Sequence, residues 1–212
     1  MLKIYGSNIS SPACKIRICA NAIGLAYDYI EVDLGKGEQK QPSYVNDIHP
    51  AGKVPAIDDN GFHLFESNAI IKYLCKTREA DLYPEDLIQQ TLVDQWCDFI
   101  SLHIGTAYSR VVFNKLISPK YKLPIDNESV KTGYGFIETY LPVVETQLCK
   151  HPYIAGNAMT IADISLLATI DASELIDVDI HSHPKLDAWR ENLKARDFYR
   201  EVHEQYMEAL QS

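Results

Sequence analysis

The sequence lacks the paired cysteines that would indicate a metal or dithiol site. Its cysteines are scattered, and no Cys-x-x-Cys pair occurs. The spacing therefore argues against a zinc site and a dithiol redox motif, and it predicts thiols that stay reduced in the cytoplasm. The five cysteines are Cys14, Cys19, Cys75, Cys97 and Cys149.

Positive charge and long apolar runs are also scarce. The chain has 20 Lys and Arg against 29 Asp and Glu, and its formal net charge of -9 would repel nucleic-acid phosphates. No apolar run approaches the roughly 20 residues that span a bilayer. Met1 leads directly into a strand-like segment rather than a signal peptide. We therefore expect a cytoplasmic protein that binds neither nucleic acid nor membrane.

The first part of the chain alternates strand and helix patterns. Leu2–Tyr5 is typical of a strand, and Ser11-Pro12 is typical of a helix N-cap followed by Pro at the first helical position. That helix should end at Gly24, and Tyr27–Asp33 alternates as a second strand does. A strand, a helix and a strand within about thirty residues predict a parallel βαβ unit.

A hairpin and a helix complete this part. Val54–Ile57 and Phe62–Phe65 flank an Asn-Gly pair, the typical signal of a β-hairpin. Ser67–Lys76 follows with a helical pattern. Gly35–Pro50 is polar and irregular, with one helical turn expected near Tyr44. The predicted order of elements is therefore βαβ–ββα.

The pattern changes near residues 79–84, after which no convincing strand occurs. We predict a first α/β domain over residues 1–78, a linker over 79–87 and an all-α domain over 88–212. In the second domain Thr160 and Asp163 have the spacing of an acidic capping box, with which a buried helix should begin. The other predicted helices cover residues 89–116, 128–148, 185–193 and 197–210.

Two short segments suit a small peptide ligand. Pro55 cannot donate to a sheet ladder, so a cis Val54–Pro55 bond would turn the N–H and C=O of Val54 toward an extended ligand. Glu66 and Ser67 precede an apolar helix, whose N-terminal N–H groups favour an anion. A ligand with a peptide backbone and a free carboxylate would satisfy both segments.

Four motifs together resemble those of the cytosolic glutathione transferases, in the family's order and over essentially the full length. They are Ser10-Ser11-Pro12, Pro50-Ala51-Gly52-Lys53-Val54-Pro55-Ala56, Glu66-Ser67-Asn68-Ala69-Ile70, and Ile154-Ala155-Gly156 leading to Thr160-Ile161-Ala162-Asp163. The serine after the first strand is similar to that of the theta, delta and phi groups and of bacterial relatives. The resemblance implies a thioredoxin-like first domain, an all-helical second domain, a homodimer, and no metal or bound redox cofactor.

The resemblance also implies that glutathione is the peptide ligand. Val54, with Pro55 cis, would hold its cysteinyl backbone, and Glu66 and Ser67 would hold its γ-glutamyl end. The glycyl carboxylate would be held by lysines and an amide, namely Lys53, Lys40 and Gln39.

Ser10 is the first candidate for the catalytic group. The thiolate is the nucleophile, and a hydroxyl that donates to sulfur at a helix N-terminus stabilises it. Ser11 directly precedes Pro12 and is the expected cap, which would leave Ser10 free. Tyr5 is the runner-up, because other groups of the family use a tyrosine near the end of strand one; we interpret it as a core aromatic.

Cys14 carries an alternative, since some family members use a cysteine near this helix entrance for thiol–disulfide chemistry. Related serine-type members often have an arginine here; Lys15 would replace the charge but not the guanidinium fork. The alternative functions are therefore a glutathione-dependent reductase or isomerase that uses Cys14, and a non-catalytic glutathione or hydrophobic-ligand binder. The hydrophobic substrate site is expected on the long helix, where the polar-tipped and aromatic candidates are His103, Tyr108 and Phe113.

Overall fold

The computed structural model describes residues 1–211 and divides them into two compact units. The first comprises Met1–Asp81 and Asp197–Leu210, and the second comprises Leu82–Arg196 and Gln211. The division after Asp81 falls inside the segment 79–87 that the sequence predicts as a linker. The segment Asp197–Leu210, by contrast, groups with the first unit, whereas the sequence pattern assigned it to the helical domain.

The first unit contains one mixed four-stranded sheet in the order β2-β1-β3-β4. Strands β1 and β2 are parallel, while β3 is antiparallel to both β1 and β4. The β3–β4 turn contains Asn60 and Gly61 at positive φ, as the Asn-Gly signal predicts. The strands are β1 (Leu2–Gly6), β2 (Tyr27–Glu31), β3 (Ala56–Asp59) and β4 (Phe62–Phe65).

Two helices connect strands of this sheet, α1 between β1 and β2 and α2 between β2 and β3, and α3 follows β4. The order of these elements confirms the thioredoxin-like βαβ–ββα arrangement. Helix α1 is buried from Ala13 to Ala20, and it packs against β1 and α3. The fully buried residues Ile4, Ile16 and Ile57 form part of the core. The helices are α1 (Ser11–Ala22), α2 (Pro42–Asp47) and α3 (Ser67–Thr77), with a 3₁₀ turn at Glu38–Lys40.

The second unit is all-helical. After β4, the only β-structure in the described chain is an isolated β-bridge between Tyr153 and Gly156. The predicted continuous helix of residues 89–116 is interrupted by two π-helical turns, Ile100–Ile104 and Phe113–Ile117. Such a turn keeps the helix direction, so apolar spacing does not reveal it. The helices are α4 (Leu87–Phe99), α5 (Gly105–Val112), α6 (Ser118–Lys120), α7 (Asn127–Leu148), α8 (Ile161–Thr169) and α9 (Pro184–Lys194).

The predicted capping box is present at the start of α8. The Asp163 carboxylate is fully buried and accepts the N–H and hydroxyl of Thr160, the N–H of Ile154 and the indole N–H of Trp189. The last helix, α10 (Asp197–Gln211), is tied to α1 by a hydrogen bond from the Asn21 amide to the Phe198 carbonyl. Within residues 1–211, no helix is long and apolar enough to cross a membrane.

Candidate functional site

Ser10, not Ser11, is the N-cap of α1. Its backbone is extended, and its Oγ accepts the N–H of Ala13 at 3.3 Å. Ser11 is the first helical residue, so the expected assignment of the cap to Ser11 was wrong. Because a hydroxyl can accept and donate at once, the cap leaves the Ser10 proton available to a ligand. The half-buried Ser10 therefore combines a free donor with the positive end of a helix.

The loop that leads into Ser10 is fastened to β2. The Glu31 carboxylate accepts the Ser7 hydroxyl at 3.0 Å and the Asn8 N–H at 3.1 Å. A backbone hydrogen bond from Ser10 to the Ser7 carbonyl closes the turn. The start of α1 also lies close to the sheet, since a Cβ on Gly6, the last residue of β1, would lie 2.9 Å from the Cβ of Ala13. These contacts fix where the α1 N-terminus stands.

Cys14 and Lys15 are both buried, and neither lies open beside Ser10. The Cys14 thiol is 1% exposed and points to the Asn8 carbonyl at 3.9 Å. The Lys15 ammonium donates to the Asn68 side chain at 2.6 Å, which ties α1 to the first turn of α3. A thiol so buried cannot meet a disulfide substrate without a local opening, which disfavours the alternative based on Cys14.

The Val54–Pro55 peptide bond is cis, as the sequence predicts. Strand β3 begins only at Ala56, so Val54 lies outside the ladder rather than in the predicted strand. The preceding carbonyl, of Lys53, accepts the Tyr44 hydroxyl at 2.9 Å. Tyr44 in turn packs edge-to-face against Tyr5, with ring centroids 6.3 Å apart. Tyr5 is thus a half-buried strand aromatic, in the packing role expected for it.

The loop that carries Gln39 and Lys40 lies against Gly52. Lys40 donates to the Ala51 carbonyl at 3.2 Å, and a Cβ on Gly52 would lie 2.7 Å from the Gln39 carbonyl oxygen. The side-chain oxygen of Gln39 is buried and, within the described residues, has no hydrogen-bond partner. The Lys40 and Lys53 side chains are exposed. The structure therefore brings Gln39 and Lys40 to the segment directly before Lys53, the third residue that the resemblance assigns to the glycyl carboxylate.

Glu66 occupies a strained backbone position before α3. Its φ of 70° and ψ of 109° are unusual for a residue with a side chain, a cost of order 1–3 kcal/mol. The Glu66 side chain is exposed and caps nothing, and Ser67 begins the helix. The strained position thus places the exposed Glu66 directly before the N-terminus of α3.

His49 lies between the loop that carries the lysines and the Glu66 segment, and it was not identified as a site residue from the sequence. Its ring is 4% exposed, lies 4.8 Å from the Phe65 ring, and accepts the Ala51 N–H through Nδ1. Burial lowers the pKa of His49, while the field of Glu66 raises it and the fields of Lys53 and Lys40 lower it. His49 therefore lies within the field of both the Glu66 carboxylate and the two lysines. Its one sequence signal was its place before Pro50.

The three candidates on the long helix divide into two groups. His103 and Phe113 are exposed, and each lies in one of the two π-helical turns. Tyr108 instead is 2% exposed, and its hydroxyl is hydrogen-bonded to Ser173 at 2.9 Å. Burial raises the pKa of Tyr108. The expectation that Tyr108 faces a substrate is therefore corrected: it is a core residue of the helical unit.

Two family descriptions match the chain. The glutathione S-transferase N-terminal domain matches residues 1–76, and the glutathione S-transferase C-terminal domain matches residues 111–197. Among curated proteins, the probable glutathione S-transferase GSTF2 of Oryza sativa subsp. japonica is 31% identical over 92% of this chain and 92% of its own length.

Solved structures agree. Glutathione transferase F7 from Populus trichocarpa superposes with a TM-score of 0.90 at 25% identity, covering 97% of this chain and 99% of that one. A glutathione S-transferase-I bound with the ligand lactoylglutathione gives 0.88 at 26% identity, over 96% and 99%. With its thioredoxin-like first unit and all-helical second unit, the chain belongs to the cytosolic glutathione S-transferase family.

Proposed function

We propose that the protein conjugates glutathione to hydrophobic electrophiles, and that the Ser10 hydroxyl stabilises the reacting thiolate. The thiol proton passes to solvent, and the thiolate forms a C–S bond to an electrophilic carbon. The electron pair of the bond that breaks at this carbon leaves with a departing group such as a halide or, in a conjugated carbonyl compound, shifts from the carbon–carbon double bond toward the carbonyl oxygen, which solvent protonates. The observation that carries the proposal is the Ser10 N-cap, which accepts a backbone N–H and keeps its own proton to donate. One hydrogen bond to a charged group is worth about 1.5–3 kcal/mol, enough to lower a thiol pKa by one to two units.

Glutathione would bind along the edge formed by Val54 and the α3 N-terminus. The cis Val54–Pro55 segment lies outside the ladder and offers its backbone to the cysteinyl residue. Glu66 and Ser67 would hold the γ-glutamyl amine and carboxylate. The glycyl carboxylate would be held by Lys40 and Lys53 together with Gln39 (side-chain amide). The lactoylglutathione bound to one structural relative is chemically the same type of ligand.

The electrophile would bind on the helical unit near His103 and Phe113. Both side chains are exposed, and π-helical turns such as theirs are common at functional sites. A hydrophobic substrate would bury the Phe113 ring, which is 45% exposed. Replacing Phe113 by Ala should then raise KM for large apolar electrophiles more than for small ones.

A homodimer would bury the exposed aromatic surface of α7. Phe136 is 40% exposed and stacks on Tyr140 in that helix. A charged Phe136→Glu variant should dissociate the dimer in sedimentation velocity. A wild-type protein that sediments as a monomer would contradict this assembly.

The serine role is tested by comparing Ser10→Ala with Tyr5→Phe and Ser11→Ala. Ser10→Ala should lose about tenfold or more in kcat and raise the pKa of bound glutathione by about one unit or more. It should still be retained on immobilised glutathione, because the binding groups are unchanged. Tyr5→Phe and Ser11→Ala should keep near-wild-type turnover.

Each remaining outcome has its own meaning. Near-wild-type turnover in Ser10→Ala would refute the serine role. Retention on glutathione without turnover of any electrophile by the wild type would instead support a non-catalytic binder. Loss of a reductase activity in Cys14→Ser, with transferase activity absent, would support the thiol-dependent alternative.

A further inference from the structure

Arg17 is a buried cation that the site described above does not use. It lies at the end of the second turn of α1 with 4% of its surface exposed. Its guanidinium donates to the Asn8 side-chain oxygen at 2.7 Å and to the Gln205 side-chain oxygen at 2.5 Å. The guanidinium carbon also lies over the Tyr29 ring, 4.3 Å from its centroid.

The partners that the described structure gives this guanidinium are neutral. A buried charge costs free energy unless hydrogen bonds or an opposite charge compensate it, and here two amide oxygens, the Tyr29 ring and the nearby Tyr27 hydroxyl do so. An apolar side chain could fill the same space without that cost. Packing alone therefore does not explain why a charged side chain occupies this position.

Asn8 connects Arg17 to the catalytic loop. Asn8 stands two residues before Ser10, and three of its polar groups are held: its N–H by Glu31, its carbonyl by Cys14 and its side-chain oxygen by Arg17. The first two contacts fix the backbone at one point, while the third fixes the side chain to the body of α1. Arg17 thus fastens the loop to the same helix that Ser10 caps.

Only a forked side chain can do this while holding Gln205. The guanidinium presents two N–H groups in fixed directions, so one nitrogen reaches Asn8 while the other reaches α10. A lysine could reach one of the two partners as a point charge. A lysine ammonium could not donate to Asn8 and to Gln205 at the same time from beside the Tyr29 ring.

We propose that Arg17 is a positioning residue for the thiolate site: through Asn8 it holds the loop that aims the Ser10 hydroxyl. This inference rests on the proposed role of Ser10. Glutathione affinity should be little affected, because the residues proposed to bind glutathione lie on other segments. The aim of the Ser10 proton, and with it the pKa of the bound thiol, should depend on Arg17.

The test measures the thiol pKa of bound glutathione, from thiolate ultraviolet absorbance and from the pH profile of kcat/KM. Asn8→Ala removes the hydrogen bond between Arg17 and the loop and keeps the one between Arg17 and Gln205. It should raise the thiol pKa by about 0.5–1 unit, which is a three- to tenfold loss of thiolate below neutral pH. Arg17→Lys should give a shift of the same sign, while KM for glutathione stays near wild type in both variants.

Asn21→Ala is the matched control. It removes the other tether between α1 and α10, to the Phe198 carbonyl, without touching Arg17 or the loop. It should lower the urea midpoint of unfolding and leave the thiol pKa at the wild-type value. Because Arg17→Lys could fail to fold, Asn8→Ala carries the test, since Asn8 is half-buried in a loop.

Two results would overturn the inference and leave the serine role standing. One is an Asn8→Ala variant with the wild-type thiol pKa, beside a Ser10→Ala variant in which that pKa has risen; the serine role would then stand without Arg17. The other is an Asn21→Ala variant that shifts the thiol pKa as much as Asn8→Ala does, which would reduce Arg17 to general stability. An unshifted pKa in Ser10→Ala would refute the serine role itself, and this inference with it.

Discussion

Gly52 is the position where a single methyl group should test the glutathione site most directly. Its φ is +57°, and a Cβ there would lie 2.7 Å from the Gln39 carbonyl oxygen. A carbon normally stays about 3.3 Å or more from such an oxygen, so Gly52→Ala must push the Gln39–Lys40 segment back by roughly 0.6 Å. This segment is the one proposed to hold the glycyl carboxylate.

The expected loss in glutathione affinity follows from that displacement. A hydrogen bond to a charged carboxylate is worth about 1.5–3 kcal/mol, and a shift of this size should lose about half of one, which raises KM for glutathione roughly three- to tenfold. Steady-state kinetics with glutathione varied, together with calorimetric titration, would measure it. The value of kcat at saturating glutathione should remain near wild type, because Ser10 is not displaced.

Gly37→Ala provides the matched control, directly before the Glu38–Lys40 turn. Gly37 has φ of +73° but nothing within 4 Å of a built Cβ, so it pays only the left-handed backbone cost, about 1–2 kcal/mol of stability. Gly52→Ala has the same backbone cost and, in addition, the steric clash with the Gln39 carbonyl oxygen. Equal changes in glutathione affinity for the two variants would refute the assignment of Gln39 and Lys40 to the ligand.

Three further variants test other parts of the structure. Asp163→Ala should lower the free energy of unfolding by roughly 3–5 kcal/mol in urea titrations, because it leaves buried donors without an acceptor; a loss under one would contradict the structure. Because burial lowers the pKa of His49, its unfolded form binds a proton first, so stability should fall as pH drops below about 6.5. His49→Phe should flatten this pH dependence of the urea midpoint, and an unchanged slope would refute it. Tyr108→Phe should cost about 1 kcal/mol through the lost bond to Ser173 yet keep kcat/KM, whereas a lost activity would restore Tyr108 to the substrate site.

The fold could be predicted because its signals are local. The Asn60-Gly61 turn and the Thr160 to Asp163 capping box each lie within a few residues, and each determines a backbone geometry by itself. Val54–Pro55 belongs to the same group, and its cis bond is present. Such signals identify elements and their order, which for βαβ–ββα is most of the topology.

The site was predicted less completely because its contacts join distant parts of the chain. Arg17 meets Gln205 across 188 positions, and the Tyr108 hydroxyl meets Ser173 across 65. Helical spacing shows which residues share a face, but it does not show which of two faces is covered. The sequence therefore provided no reason to assign a role to Arg17 in its apolar helix, and it led to the wrong prediction that Tyr108 contacts the substrate.

The error about Ser10 and Ser11 concerns chemistry more than position. Capping and catalysis were taken as competing roles of a serine hydroxyl, so the serine expected to cap was excluded from catalysis. The structure gives the cap to Ser10, and a hydroxyl oxygen that accepts the Ala13 N–H still has its own proton to donate. The cap orients that proton relative to the helix N-terminus, whose positive potential favours a thiolate. Capping by Ser10 is therefore the reason to expect it to stabilise the thiolate.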